Sequence, residues 1–286
     1  MPRERGVRVA VSVRDALEGA RTAIAAGGSP SARLDAELLL ADALGVARER
    51  LLIDGERGVT GDAVRRFQSH VRRRAVDREP VAYITGRRSF RRLELAVDAR
   101  VLVPRPETEL LVEVGCELER GAAVLDCCTG SGAVALALKD ERPDLQVSGS
   151  DISESALAVA RANAQRLGLT VAWKRADLLD GLDAGVFDAI LANPPYVPRT
   201  VLAGLEPEIT RHEPALALDG GEDGLDILRR LVHQAARAGV RLLGLEHGDG
   251  QATALARLCE QAGFDSVERR HDLAGRERAI VAHLER

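Results

Sequence analysis

Apolar positions recur at helical spacing over roughly the first 80 residues, and from Pro80 onward the pattern changes to alternation and short apolar runs. Three amphipathic helices are predicted in the first stretch. Leu17, Ala20 and Ile24 share one face behind a Ser12 cap, and Gly27-Gly28 ends that helix. Ser29-Pro30 starts a second, with Leu34, Leu38 and Ala41 facing inward. Thr60 opens a third, with Val64, Phe67 and Val71 inward and Arg65, Arg66, Arg72, Arg73 and Arg74 outward. Such a charge run reads first as a solvated face, and second as a docking surface for an acidic partner or RNA.

The extended pattern begins with Val81 to Ile84, which stops at Gly86, and continues in the alternating Leu93, Leu95 and Val97. Together they predict a β-hairpin over 80–103, linking a helical domain, 1–79, to a second domain, 104–286. In Pro104-Arg105-Pro106-Glu107-Thr108-Glu109 the prolines hold the arginine extended before an apolar helix at Leu110 to Val112. This segment reads equally as a linker with a cap or as one wall of a site. From Ala122 the order is βαβα, the signature of a parallel sheet with helices on both faces. Val124-Leu125 leads into Asp126-Cys127-Cys128-Thr129-Gly130-Ser131-Gly132 and a helix of Val134, Ala135 and Leu138. Strands follow at Val147 to Asp151, Val171 to Trp173, Val186 to Ala192 and Leu242 to Glu246. Between them come a Ser153-capped helix with Leu157, Ala160 and Ala164 inward, and a helix from Leu225 to Ala238. A helix from Ala252 to Ala262 and a terminal hairpin complete the chain. The stretch from Tyr196 to Gly224 reads as irregular, and its length marks it as a cover for a site.

Composition narrows the class. At 286 residues and 45% hydrophobic content the chain holds one large domain and a smaller one. No apolar run reaches signal-peptide or membrane-spanning length, so a cytoplasmic location without membrane contact is expected. Cys116, Cys127, Cys128 and Cys259 lack metal-ligand spacing and no histidine cluster accompanies them, so neither a metal nor a disulfide framework is expected. The net charge of −4 argues against a general polyanion binder.

Two places carry candidate chemistry. The small residues from Cys128 to Gly132, between a strand and a helix, let a backbone approach a ligand as in nucleotide-binding turns. Asp151 ends the next strand about 20 residues on, the separation used to recognise a ribose. Asp177 and Leu178, after the third strand, suit an adenine amino group and ring. The second place is Asn193-Pro194-Pro195-Tyr196, at the carboxyl end of an apolar strand. Asn193 offers a side-chain carbonyl, Pro194 a backbone carbonyl with no N–H of its own, and Tyr196 a flat ring with a polar tip. Two acceptors gripping a planar NH2 group orient its nitrogen and favour rehybridisation as a methyl group arrives, which implies N-methylation. A rigid turn after a strand is the plainer reading, and the upstream loop and acids weigh against it.

Taken together these residues resemble the HemK/PrmC family of protein-(glutamine-N5) methyltransferases, which act on peptide-chain release factors. The likeness runs through the helical N-terminal region, Gly86-Arg87, Phe90, the Pro104 to Glu109 segment, the small-residue loop, Asn193 to Tyr196, Glu213-Pro214 and Gly220 to Gly224. It implies an α/β, seven-stranded, Rossmann-like class I S-adenosylmethionine-dependent domain with its last strand antiparallel, preceded by a small helical domain that docks substrate. It implies that Cys128, Thr129, Gly130, Ser131 and Gly132 surround the methionine and ribose of S-adenosylmethionine. Asp151 takes the ribose hydroxyls, Asp177 and Leu178 flank adenine, and Asn193 adjoins the cofactor. Asn193, Pro194, Pro195 and Tyr196 hold the glutamine of a release-factor Gly-Gly-Gln motif, with Asn193, Pro194 and Tyr196 as the catalytic set. Phe90, Arg105 and Glu107 close over the substrate. No metal, covalent intermediate or direct nucleic-acid binding is expected.

Two departures stand out. Cys128 replaces the family's usual glycine, which predicts a β-carbon and a negative φ in the loop. A buried inert Cys127-Cys128 pair is expected there ahead of a reactive thiol or a disulfide. Arg91-Arg92 stand where an aromatic residue is more usual, which leaves open methylation of a different peptide glutamine. An exocyclic amine of DNA or RNA suits the same grip, although the net charge opposes it. A dinucleotide oxidoreductase lacks its G-x-G-x-x-G turn, and an idle binding module leaves Asn193, Pro194 and Asp151 without a purpose.

Overall fold

A computed structural model describes residues 11–285. The reading of residues 1–10 as free of a signal peptide lies outside the described residues. The chain forms two units: 1–86 together with 207–212, and 87–206 together with 213–286. No helix among the described residues is long and apolar enough to cross a membrane.

The first unit is built from helices Val13–Ala26, Ala32–Leu44, Arg48–Ile53, Asp62–Ala75 and Val81–Thr85, with the short helix Pro207–His212. Strands β1 (Val11–Ser12) and β2 (Gly58–Val59) pair antiparallel beside them. Ser12 caps the first helix by accepting the Asp15 N–H at 3.1 Å. Ala20, Ile24, Ala36, Leu39, Leu40, Phe67 and Ile84 make the core.

Three expectations are corrected in this unit. Leu34 and Leu38 are exposed, and Ala36, Leu39 and Leu40 face inward in their place. The second helix is apolar over most of its circumference, so spacing alone does not select a face. Val81–Thr85 is a helical turn ending at Gly86, whose φ is +72°, and no strand forms before Arg87. An apolar run that short has no period to separate helix from strand. The expected linker over 80–103 is accordingly divided between the two units. Arg74 is buried, unlike Arg65, Arg66 and Arg72 on the same helix. Its Nε meets Asp35 Oδ2 at 2.6 Å, its Nη1 meets Glu208 Oε1 at 2.5 Å, and its Nη2 donates to Ser29 Oγ at 2.8 Å. Arg78 Nη2 closes on the other Glu208 oxygen at 2.7 Å. Two arginines and two carboxylates thus balance out of water, an arrangement tolerable only while each charge keeps its partner.

In the second unit, β3 (Arg87–Phe90) and β4 (Leu93–Ala96) form an antiparallel hairpin. The main sheet contains β5 (Ala123–Cys127), β6 (Gln146–Asp151), β7 (Ala172–Arg175), β8 (Ala189–Ala192), β9 (Leu242–Glu246), β10 (Ser266–His271) and β11 (Glu277–His283). Across the sheet the order is β10-β11-β9-β8-β5-β6-β7, and β11 runs antiparallel to both its neighbours. This is the expected seven-stranded α/β fold. Val124 and Leu191 point into one apolar layer with Leu111, Leu136 and Leu138, while Leu125 and Ile190 point into the other with Leu228, Leu243 and Leu255. Strand order reverses at β5, which has β6 on one side and β8 on the other. Open α/β sheets bind ligands outside the carboxyl ends of the strands at such a point.

The stretch after Tyr196 is more regular than expected. It contains helical turns at Arg199–Leu202, Pro207–His212 and Ala215–Ala217. Within the second unit it is tied back by Val197 N–H to Leu218 O and Gly220 N–H to Val197 O, each 2.9 Å.

Removing the Arg74 side chain leaves Asp35 buried without its counter-ion and Glu208 with one fewer. Arg74→Ala is expected to destabilise the protein by about 3–5 kcal/mol, against less than about 0.5 kcal/mol for Arg65→Ala on the exposed face. Urea denaturation of the two variants measures the contrast.

Candidate active site

The carboxyl ends of β5, β6 and β8 open onto a cavity of about 280 Å³ within the second unit. Asp126, near the end of β5, turns its carboxyl under the following loop, where Oδ2 accepts the Thr129 hydroxyl at 2.5 Å and the Ala135 N–H at 3.0 Å. Burial pushes its pKa up to about 7 in spite of these donors. Asp151, ending β6, receives the Gly130 N–H on Oδ2 and the Ser153 N–H on Oδ1, both at 2.9 Å. Its pKa is raised by burial and opposed by those N–H donors. Each of its oxygens keeps a lone pair for a ligand hydroxyl.

Cys128 corrects one expectation and answers another. Its φ is +62°, left-handed and not negative. Gly130 and Gly132 are left-handed as well, at +56° and +84°, so the turn requires this conformation at alternate positions and imposes it on a residue with a β-carbon. Gly132 stays glycine for a second reason: a β-carbon there meets Leu136 and the Trp173 ring at 3.0 Å. Cys127 and Cys128 are both free thiols. The Cys128 pKa is raised well above the usual thiol range, through its hydrogen bond with Cys127 and through burial, although the residue is half-buried and borders the cavity.

Arg105, Cys128, Thr129, Gly130, Ser131, Asp151, Asp177, Leu178, Asn193 and Pro195 all border the cavity. Asp177 is already held by Arg230, Nη2 to Oδ2 at 2.9 Å, and Arg230 itself borders the cavity. Leu178 is buried with φ at +55°. Arg105 pairs with the buried Glu213 at 2.6 Å, which gives the Glu213-Pro214 dipeptide a place in the site wall.

Gly132, Pro194, Tyr196, Glu107 and Phe90 do not border the cavity. Phe90 departs furthest from expectation: at 1% exposure it belongs to the apolar core and closes over nothing, because the end of β3 turns it inward. Tyr196 points away from the cavity and donates its hydroxyl to Glu246 Oε1 at 3.0 Å. Burial, together with the adjoining Glu246, raises its pKa. Gly220 and Gly224 are the glycines of the Gly-Gly-Glu-Asp-Gly run packed against the Tyr196 backbone, and a β-carbon at Gly220 lies 2.7 Å from its Cα. Gln251 Nε2 donates to Tyr196 O at 3.0 Å.

Asn193, the first residue after β8, donates from Nδ2 to Thr108 Oγ1 at 3.0 Å. That contact leaves Oδ1 to receive hydrogens from a ligand. Thr108 enters the sequence reading only within the Pro104 to Glu109 segment, and Glu246 only as the end of a strand, neither with a role of its own. The available signal was an acid at the carboxyl end of the strand beside the one carrying Asn193. Glu246 is 2% exposed, and burial pushes its pKa up to about 7 against the Thr108 and Tyr196 hydroxyls.

A parallel sheet with an antiparallel β11, a small-residue loop after β5, an acid ending β6 and Asn-Pro-Pro-Tyr after β8 define a Rossmann-like methyltransferase. Residues 15–86 match the PrmC N-terminal domain, and residues 106–206 match the methyltransferase small domain. The release factor glutamine methyltransferase of Deinococcus radiodurans is 42% identical over 278 residues, 95% of this chain and 98% of that protein. That of Moorella thermoacetica is 41% identical over 284 residues, covering 96% and 99%. The chain belongs to the release factor glutamine methyltransferase family. Among solved structures, the hMettl16 catalytic domain in complex with MAT2A 3'UTR hairpin 6 is alike in fold, with a TM-score of 0.55 at 13% identity over 78% of this chain and 81% of that one.

Asp126 and Glu246 both hold a proton to about pH 7 when folded and release it nearer their ordinary values of 3.8 and 4.5 when unfolded. Their contribution to stability is complete below those ordinary values and is lost as pH rises through about 7. Asp126→Asn, whose amide oxygen accepts the same two donors, is expected to gain stability relative to the parent as pH rises from about 5 to about 8. Thermal unfolding across that range reads the difference, and a constant offset at all pH values contradicts it.

Proposed function

We propose that the enzyme methylates the side-chain amide nitrogen of the glutamine in the Gly-Gly-Gln motif of peptide-chain release factors, with S-adenosylmethionine as donor and Asn193 as the principal acceptor. The observation that carries this reading is the Asn193 amide, held by Thr108 through Nδ2 with Oδ1 left free at the cavity edge.

The residues around the cavity fit the cofactor. Asp151 has spare lone pairs where ribose hydroxyls need acceptors, the Cys128 to Ser131 backbone borders open space, and Leu178 with Ile152 offers apolar surface to a flat ring. When bound, S-adenosylmethionine supplies a sulfonium methyl that needs no further activation. What remains for the chain is placement. Asn193 Oδ1 accepts an amide hydrogen and turns the nitrogen lone pair out of conjugation toward the incoming carbon. The nitrogen becomes acidic once alkylated, so its surplus proton passes to water without a strong base. Arg105, fixed by Glu213, stands at the wall where a peptide backbone passes. The helical first unit is the docking platform for the release factor, a role supported by the match of residues 15–86 to the PrmC N-terminal domain.

Intact-mass and peptide mass spectrometry of a purified release factor, incubated with the enzyme and S-adenosylmethionine, tests the reading. One added methyl on the Gly-Gly-Gln glutamine is expected. Asn193→Ala should lower turnover by about 10²-fold, the size of one lost pre-organised contact, with cofactor affinity by calorimetry largely kept. No methyl on that glutamine, with cofactor still bound, overturns the substrate assignment.

A further inference from the structure

Behind Asn193 stands a set of groups, Thr108, Tyr196 and Glu246, of which only Thr108 borders the cavity. Glu246 ends β9, whose pairing with β8 sets Leu245 opposite Ala192, so it lies beside the position that delivers Asn193. Its Oε1 accepts the Tyr196 hydroxyl at 3.0 Å. Its Oε2 is buried without any hydrogen-bond partner, and the Thr108 hydroxyl is near enough to stabilise the charged carboxylate. Thr108 Oγ1 in turn receives Asn193 Nδ2–H at 3.0 Å.

The two ends of an asparagine amide have nearly one shape and opposite polarity. Only one orientation serves an acceptor of amide hydrogens, since the flipped side chain sets NH2 against NH2. A threonine hydroxyl both donates and accepts, so Thr108 alone leaves the choice open. A carboxylate only accepts. With the Tyr196 proton on one oxygen, the orphaned Oε2 is the acceptor the proposal assigns to the Thr108 proton, a bond not formed at rest. Thr108 then has only lone pairs to offer, and Nδ2–H is the end of Asn193 that satisfies them.

We propose that Glu246 is a positioning residue for methyl transfer, committing Asn193 through Thr108 to the orientation in which Oδ1 faces the substrate amide. The proposal rests on the reading of Asn193 as the amide acceptor. It also predicts a pH dependence. A protonated Glu246 becomes a donor, Thr108 is freed to donate to Asn193, and the amide turns over. The groups facing the carboxyl are Glu107, Arg105 and Thr108 from one segment, Tyr196 after β8, and Arg278 of β11, whose charge bears on Tyr196. Burial and Glu107 raise the pKa, to about 7, against the two hydroxyls and Arg105. Turnover therefore falls as pH drops through about 7. Asp126 titrates in the same range beneath the loop after β5, and replacing Glu246 separates the two.

The test compares Glu246→Gln with the parent in kcat, substrate KM and cofactor affinity from about pH 6 to about 9. Glutamine keeps the shape, but its amide donates to Thr108 and reverses the chain of hydrogen bonds. The expected result is a fall in kcat of about 10²-fold, unchanged cofactor affinity, and loss of the limb near pH 7 that belongs to Glu246. Parent-like kcat with the limb intact overturns the proposal. Asn193→Ala is the control: if it keeps full turnover the acceptor reading itself fails, whereas a loss there alongside parent-like Glu246→Gln removes only the role of Glu246. Should Glu246→Gln not fold, Thr108→Val against Thr108→Ser carries the test. The serine variant is expected to turn over at least about tenfold faster than the valine one, and equal rates overturn the proposal.

Discussion

The reversal of strand order at β5 is the constraint on which the rest of the second unit depends. With β6 to one side and β8 to the other, the connections leaving these strands go to opposite faces of the sheet and part at its carboxyl edge. The parting creates the cavity, and each group bordering it is held at a fixed height by the ladder below. Asp126 and Asp151 come from neighbouring strands in register, and Asn193 follows directly from the strand on the other side of β5. Alternating side chains of the same strands fill the two apolar layers. The packing that stabilises the sheet is thereby the packing that sets the spacing of the site.

That edge is also where the protein keeps charge out of water. Asp126 and Glu246 are each about 2% exposed. A carboxyl in such surroundings resists ionisation, and both occupy places where a neutral side chain packs more easily. Asp126 stitches the loop after β5 to the helix that follows it, through Thr129 and Ala135. Glu246 accepts the Tyr196 hydroxyl behind Asn193. In each case a group that is unfavourable by itself fixes the direction of several hydrogen bonds, and direction is what placing an amide nitrogen requires.

Much of this was legible in the sequence where the cause is local. Ser12 and Ser153 cap the helices they precede. The strand Leu242–Glu246 and the helix Ala252–Ala262 fall at their expected bounds, and the loop, Asp151 and Asn193 meet at one cavity. What escaped depends on neighbours distant in the chain. Asp35, on the inward face of the second helix, finds its partner in Arg74, 39 positions away. Arg74 reads as one more arginine on an exposed face until Glu208, 134 positions on, is placed beside it. The positive φ of Cys128 belongs to a turn that is left-handed at Gly130 and Gly132 as well, and not to the residue. Thr108 and Glu246 look like ordinary ends of elements, since hydrogen-bond direction leaves no mark on hydrophobic period.

The helix Pro207–His212 gives the molecule an order of assembly. It belongs to the unit that is otherwise made of residues up to 86, so a ribosome has finished most of that unit long before Glu208 exists. During the interval Asp35 is the counter-ion available to Arg74, and Arg78 waits for its carboxylate. At common rates of elongation the wait is on the order of ten seconds. The first unit is therefore completed only after most of the second has been synthesised.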